Sequence, residues 1–414
     1  MTGDRPLISA IIPTHNRSAL LREALDSVMA VEGQGELFDL ETVVVDDASS
    51  DGTQDVVARY PVRYIRNAVN RGLSASRNIG AAASHGQYMA FLDDDDLWIP
   101  ERFKAQITVM ESRPEVGLAY SPTFRVFNGI ELPIAPVDGP SGYVFEQLLL
   151  RGNFLISVLA VLIRRTAFER VGGFEGAGIE DYDMFLRLAR YFPFAFVASP
   201  VALRRWSSAG LFLTLIATGR SRPLYRELIA RALALKPRLS GRFRERVIDR
   251  MELGNLRDLL SVARPLRDLP DSECVSQVLA HISEYPRLAR LPHGRRTLAW
   301  FARTVVLASP SPFDTATTLC EGVERSCGAS IQTRRLLARI WMELAVGFLL
   351  AGQRPLSARA LALALRNDPT QFVARLASAC VDRARFLRRD AQGPVLEEQY
   401  ALLQRRGTGQ DFIP

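Results

Sequence analysis

Three short, apolar-rich runs each end in a cluster of polar residues, and this repeat constrains the fold more than any other feature of the chain. Leu7–Ile12 runs into Pro13-Thr14-His15-Asn16, Thr42–Val45 into Asp46-Asp47, and Tyr88–Leu92 into Asp93-Asp94-Asp95-Asp96. Helical patterns separate them. Ser18–Met29 places Leu20, Leu21, Ala24, Leu25 and Val28 at helical spacing, with Ser18 as the expected N-cap. Ser50-Asp51-Gly52-Thr53 is a turn that starts a helix through Val57; Val62–Ile65 reads as a strand and Leu73–Ala83 as a helix. Strands alternating with helices in this way predict a mostly parallel sheet flanked by helices, an α/β fold. In such sheets ligands bind beyond the carboxyl ends of the strands, where the three polar clusters fall.

Downstream, the pattern predicts a helix over Glu101–Arg113 and a strand over Val116–Tyr120. Pro122–Gly142 reads as loops or hairpins, Phe145–Leu150 as a helix and Val158–Ile163 as a strand. The Gly-containing loop Phe174–Gly178 runs into a helix that opens with Glu180-Asp181-Tyr182 and continues to about Arg190. After about Ser207 the strand runs stop and Arg/Leu/Ala helical patterns take over. Gln332–Ala351, Pro355–Arg366 and Gln371–Arg388 read as amphipathic helices. The stretch from Ala358 to Pro369 is similar to one tetratricopeptide helix pair, but a single copy does not make an array. The 414 residues suit two domains. The expected division is an α/β domain over residues 1–207 and an α-helical C-terminal domain of unassigned role over 208–414.

Net charge is +7, and only Lys104 and Lys236 are lysines, so Arg carries nearly all the positive charge. Guanidinium forks bind phosphate and carboxylate bidentately, which fits phosphorylated substrates or anionic lipid head groups. A compositional habit explains the excess equally well. No nucleic-acid-binding signature is present, and no nucleic-acid partner is expected. Cys274, Cys320, Cys327 and Cys380 form no CxxC pair, so a disulfide framework is not indicated. The N-terminus lacks the apolar core of a signal peptide, and no apolar stretch reaches about 18 residues. The expectation is a cytoplasmic protein, soluble or peripheral at the inner face of a membrane.

The acid run carries the strongest chemical signal. Four adjacent carboxylates repel one another, and a hard divalent cation such as Mn²⁺ or Mg²⁺ relieves that repulsion through oxygen ligands. An exposed acidic turn accounts for the run alone equally well. Likewise Glu180-Asp181 alone fits capping, because acids favour a helix N-terminus.

Context comes from four ordered motifs: IIPTHNR (11–17), VVVDDASSDGT (43–53), NRGLSASRNIGAAASHGQYMAFLDDDD (70–96) and GIEDYDMFLRL (178–188). Over about Pro6 to Trp206 the chain resembles the family-2 glycosyltransferases, which have the GT-A nucleotide-diphospho-sugar transferase fold. The resemblance implies an inverting transferase that moves a sugar from a UDP- or dTDP-linked donor to an acceptor hydroxyl. It implies that the loop of Pro13, Thr14 and Asn16 meets the nucleotide and that Asp47 bonds the base. Asn70, Arg71 and Gly72 would lie beside the donor, and Asp94 would touch the ribose. Asp95, with Asp93, would hold the Mn²⁺ or Mg²⁺; Asp93 and Asp96 would also support the loop. Arg77 would bind phosphate or pin the acidic loop. Asp181, aided by Glu180, would be the general base. Asp46 can equally be a structural cap, and His15 can face phosphate or solvent.

One departure concerns the Arg-x-His stretch of many relatives, in whose place stands Arg204-Arg205-Trp206. Trp206 either stacks on a sugar or packs in the core. Acceptors compatible with the reading are a glycan, a lipid-linked saccharide or a protein side chain. Two other readings remain: a nucleotidyltransferase, whose Gly-rich phosphate loop is missing after the first run, and a nucleotide-sugar-binding protein with a helical interaction module.

Overall fold

The computed structural model describes residues 5–127, 130–134, 139–153, 158–205 and 220–263. It also describes 311–328, 330–350, 354–369 and isolated positions between 215 and 299. Contacts divide the chain into two compact units, residues 1–262 and 263–414.

The first unit is built on a seven-stranded sheet. In chain order its strands are β1 (Leu7–Thr14), β2 (Asp39–Asp46), β3 (Arg63–Arg66), β4 (Tyr88–Phe91), β6 (Leu118–Tyr120), β9 (Val161–Arg164) and β10 (Phe194–Phe196). Across the sheet the order is β10-β6-β9-β4-β1-β2-β3. The pairs β1–β2, β1–β4, β2–β3 and β6–β10 are parallel; β9 lies antiparallel between β4 and β6. A smaller sheet joins β5 (Leu97–Trp98), β11 (Ala202–Arg205), β7 (Thr123–Phe127) and β8 (Ile130–Ile134), in that order. The mostly parallel α/β sheet is therefore as expected, with a hairpin, β7–β8, in the Pro/Gly-rich region.

Helices cover both faces. They are α1 (Ser18–Met29), α2 (Thr53–Val57), α3 (Leu73–Ala83), α4 (Lys104–Ser112), α5 (Phe145–Arg151), α6 (Arg165–Val171), α7 (Glu180–Ala189), α8 (Ser221–Ala234) and α9 (Gly241–Ala263). Because β1 is buried on both sides, its apolar residues do not alternate with polar ones. Ile8, Ala10 and Ile12 join one core cluster with Leu25, Val44 and Ile107. Ile11 faces the other, with Phe91, Phe168, Phe174 and Phe185. Gly80 lets α3 lie close on the sheet: a Cβ there would meet Ile11 Cγ2 at 2.4 Å. Leu228, Ile229 and Leu233 of α8 and Val247 of α9 complete the second cluster.

Two local expectations are corrected. Ser18 is the first residue of α1 and not its cap, which is Arg17 without a side-chain cap bond. The Ser18 amide is instead received by the Asp51 carboxylate at 2.9 Å, from a distant loop. The helix expected from Glu101 begins at Lys104, after a turn.

The second unit contains α10 (Pro312–Cys327), α11 (Ile331–Leu350) and α12 (Arg354–Asn367). α11 and α12 pack along each other, and Ser357 Oγ donates to the Ala345 carbonyl at 2.8 Å. Leu336, Leu337, Ile340, Trp341 and Leu344 form its apolar side. The expected helix over Gln371–Arg388 lies outside the described residues. Among the described residues no helix is long and apolar enough to cross a membrane.

Candidate active site

β1 has β2 on one side and β4 on the other, so the chain order reverses beside it, the position where open α/β sheets bind ligands. The loops after β1, β2 and β4 meet there. Thr14 Oγ1 donates to Asp94 Oδ2 at 2.8 Å, joining the first loop to the acid run. Arg17 Nη1 lies 3.0 Å from both Asp94 Oδ1 and Asp95 Oδ2. Apart from an arginine after Pro13-Thr14-His15-Asn16, nothing local in the sequence marks this clamp.

Asn16 adopts a left-handed φ of 53°, a conformation asparagine tolerates better than most residues. That turn aims its side chain at the loop after β2: Oδ1 accepts the Ser50 amide at 2.7 Å, while the Asn16 amide donates to Ser49 Oγ at 2.9 Å. His15 Nδ1 lies 2.7 Å from the Asp47 carbonyl. Pro13 and Thr14 are buried, whereas His15 and Asn16 are exposed.

The two acids after β2 differ. Asp46 caps the turn, accepting the Ser49 amide at 2.7 Å and the Tyr64 hydroxyl at 2.5 Å. Asp47 accepts the Arg71 and Gly72 amides, each at 2.8 Å, and Asn67 Nδ2 at 2.8 Å. Burial alone would raise its carboxyl, but these bonds hold it below the ordinary range. Asp47 thus fixes the backbone of the Asn70–Gly72 turn, and Asn70 and Arg71 project their side chains outward, exposed.

Arg77, on α3, is 2% exposed and connects two acidic loops. Nη2 bonds Asp93 Oδ1 at 2.5 Å and Nη1 bonds Glu180 Oε1 at 2.9 Å, while the guanidinium lies 5.2 Å from the Phe174 ring centroid. Of the two roles left open for it, this geometry is that of a brace on the acid loop. Next to it, Asp181 is the second residue of α7 and is partly exposed. Burial of its carboxylate, followed by the charge of Glu180, pushes it up to about 6 despite the nearby Arg77. Glu180 itself is buried, and Oε2 has no hydrogen-bond partner among the described residues.

Asp96 is buried and accepts the Arg205 amide at 2.9 Å, tying the acid run to β11. Arg204 acts on Asp95, Asp96 and Asp181 as a nearby positive charge. Trp206 lies outside the described residues. Burial pushes Asp94 up to about 6 and raises Asp95 and Asp96, and the charge of Asp93 adds to the rise at the last two. Such mutual repulsion is what a divalent cation offsets. Among the described residues no three acidic, His or Cys side chains converge on one cation position. The hard carboxylate oxygens of Asp93 and Asp95, 27% and 35% exposed, nevertheless fit an ion that completes its shell with water and substrate phosphates.

Residues 9–172 match the family model described as Glycosyl transferase family 2. An uncharacterized glycosyltransferase of Haemophilus influenzae is 33% identical over 189 residues, which cover 44% of this chain and 62% of that protein. The putative teichuronic acid biosynthesis glycosyltransferase TuaG of Bacillus subtilis is 29% identical, over 40% of this chain and 65% of its own length. The Escherichia coli UDP-Glc:alpha-D-GlcNAc-diphosphoundecaprenol beta-1,3-glucosyltransferase WfgD is 26% identical, over 45% of this chain and 71% of its own. The first two matches span less than two thirds of those proteins. With its acid run at the switch point of a mostly parallel sheet, the segment 9–172 is thus similar to glycosyl transferase family 2.

Proposed function

We propose that this protein is an inverting glycosyltransferase that moves a sugar from a UDP- or dTDP-linked donor to an acceptor hydroxyl in polysaccharide or glycoconjugate biosynthesis. The observation that carries the reading is the buried Arg77, which ties the acid loop after β4 to the acidic start of α7. One side chain thereby sets the donor-binding carboxylates against the candidate base. The relative named for UDP-Glc supports a uridine donor.

In this reading the loops of Pro13, Thr14 and Asn16, Asp47 and Asn70–Gly72 form the nucleotide end, and Asp94 receives the ribose. Asp95 and Asp93 would hold a Mn²⁺ or Mg²⁺, which would supply positive charge to offset the negative charge on the departing diphosphate. Asp181 takes the proton of the acceptor hydroxyl as its oxygen attacks the anomeric carbon from the face opposite the leaving group. A single displacement of this kind inverts that carbon. Glu180, held by Arg77, keeps a free acceptor oxygen beside the base. We also place the protein in the cytoplasm, in contact with the inner face of a membrane.

A carboxylate base with a pKa of about 6 suits neutral pH, since it is ionised yet remains a useful proton acceptor. Asp181 must be ionised to act. At saturating donor, kcat is therefore expected to be flat above about pH 7 and to fall about tenfold per pH unit below about 6. Protonation of Asp94 in the same range weakens the donor contact and enters through KM. A kcat profile flat down to pH 5 removes Asp181 from the role.

The donor is tested by thermal unfolding with UDP, dTDP, GDP and their sugars, each with Mn²⁺. A selective ligand at a hundredfold excess over Kd stabilises the fold by about 2.7 kcal/mol. The expected result is a rise in Tm with uridine or thymidine diphosphates alone. An equal rise with GDP, or none with any of them, rejects the donor assignment.

A further inference from the structure

One segment of the first unit is densely basic. Residues 220–250, which include α8 and the first ten residues of α9, contain ten basic and three acidic side chains. That segment has a net charge of +7, equal to the net charge of all 414 residues. Summed over the rest of the chain, the charges cancel.

The structure sets this segment beside exposed apolar side chains. α8 and α9 are joined through Glu252, which receives Arg222 Nε at 2.9 Å and Arg226 Nε at 2.6 Å. The turn between the helices is rigid: Arg244 donates to the Lys236 carbonyl at 2.9 Å and to the Leu239 carbonyl at 3.3 Å. Arg238 on the turn, with Arg242 and Arg246 one helical turn apart on α9, is exposed. Among the described residues these three have no ion-pair partner. Next to Lys236 in the chain, Leu235 is 36% exposed, and Tyr143, which shares a cavity with Lys236, is 71% exposed. Lys236 ties the two regions together: its Nζ lies 4.9 Å from the Phe145 ring centroid, and with Tyr143 and Phe145 it lines a cavity of about 430 Å³.

We infer that the α8–α9 turn, with Tyr143, docks the protein on an anionic lipid bilayer, Leu235 and Tyr143 entering the interface and Lys236, Arg238, Arg242 and Arg246 meeting the lipid phosphates. Anionic membrane surfaces attract basic segments, and tyrosine favours the boundary between head groups and acyl chains. A nucleic acid would satisfy the arginines but leave the leucine unaccounted for. α8 also packs on α7, where Arg231 pairs with Asp183 and the Tyr225 and Tyr182 rings lie 6.2 Å apart. The membrane contact is thus one helix away from the element that begins with Glu180 and Asp181. This deepens the membrane part of the proposed function and does not depend on the transferase part.

The test is co-sedimentation of the full chain with vesicles of phosphatidylcholine, alone or mixed with phosphatidylglycerol, at low and physiological salt. No donor or acceptor is present, so the result leaves the transferase reading untouched. Binding is expected only with phosphatidylglycerol and is expected to weaken with salt. The triple change Arg238→Gln, Arg242→Gln, Arg246→Gln is expected to lower affinity about a hundredfold, taking roughly 1 kcal/mol per charge. Leu235→Ser with Tyr143→Ser is expected to weaken binding while keeping the salt dependence. Thermal unfolding of both variants should match the parent, since the residues are on the surface. Three outcomes overturn the proposal: equal binding to both vesicles, parental binding by the triple variant, or binding to an RNA homopolymer but to neither vesicle.

Discussion

Replacing Asp181 with Asn leaves the donor bound and lowers the transfer rate by about 10²- to 10⁴-fold, the usual contribution of a positioned base. The amide has nearly the same shape, and the Tyr182 amide that donates to Asp181 Oδ1 at 2.6 Å keeps an oxygen acceptor. Removing a carboxylate that burial and Glu180 hold near 6 also relieves a cost. A raised carboxyl pKa destabilises the ionised fold above about pH 6, and that cost fades as pH falls toward the unfolded value. The variant is therefore expected to unfold at the same temperature as the parent, or a higher one, at pH 7.5. Single-turnover transfer, donor titration and thermal unfolding on one preparation check all three statements. A variant with parental turnover eliminates Asp181 as the base.

The second large effect concerns Arg77. Changing it to Met strands Glu180, which is buried, and leaves Asp93 without its partner. Breaking a buried ion pair from one side costs about 3–5 kcal/mol, because the remaining charge has no water to return to. Lys is expected to rescue only in part, since one ammonium cannot present two nitrogens in the planar fork that spans Asp93 and Glu180. Adding Glu180→Gln to Arg77→Met is expected to recover part of the loss by removing the stranded charge. Urea unfolding of the parent, the two single variants and the double variant measures this. If Arg77→Met unfolds at the parental urea concentration, the brace contributes nothing to the fold.

Which parts of this structure could be read from the residues depends on how local their causes are. The parallel strands were legible because burial on both faces leaves apolar runs such as Thr42–Val45, and their polar ends marked the crevice. The reversed direction of β9 was not, because Val158–Ile163 has the same composition whichever way it runs. The cap of α1 was missed for a related reason: the group that receives the Ser18 amide is Asp51, 33 residues away. Arg17 reaches across 77 residues to Asp94, and Arg77 across 103 to Glu180. The motifs contained the acids of the candidate site and Arg77, with bracing of the acid loop as one of its two open roles, whereas the Arg17 clamp and the reach of Arg77 to Glu180 depended on the fold.

The turn at Asn70–Gly72 separates two constraints that usually coincide. Asp47 grips Arg71 and Gly72 by their main-chain amides. The path of the turn therefore does not depend on which side chains occupy positions 70 and 71, both of which point outward. Those two positions can be varied together in a library without loosening the frame beneath them. Altered sugar or base preference can be sought there first, at little expense to the rest of the molecule.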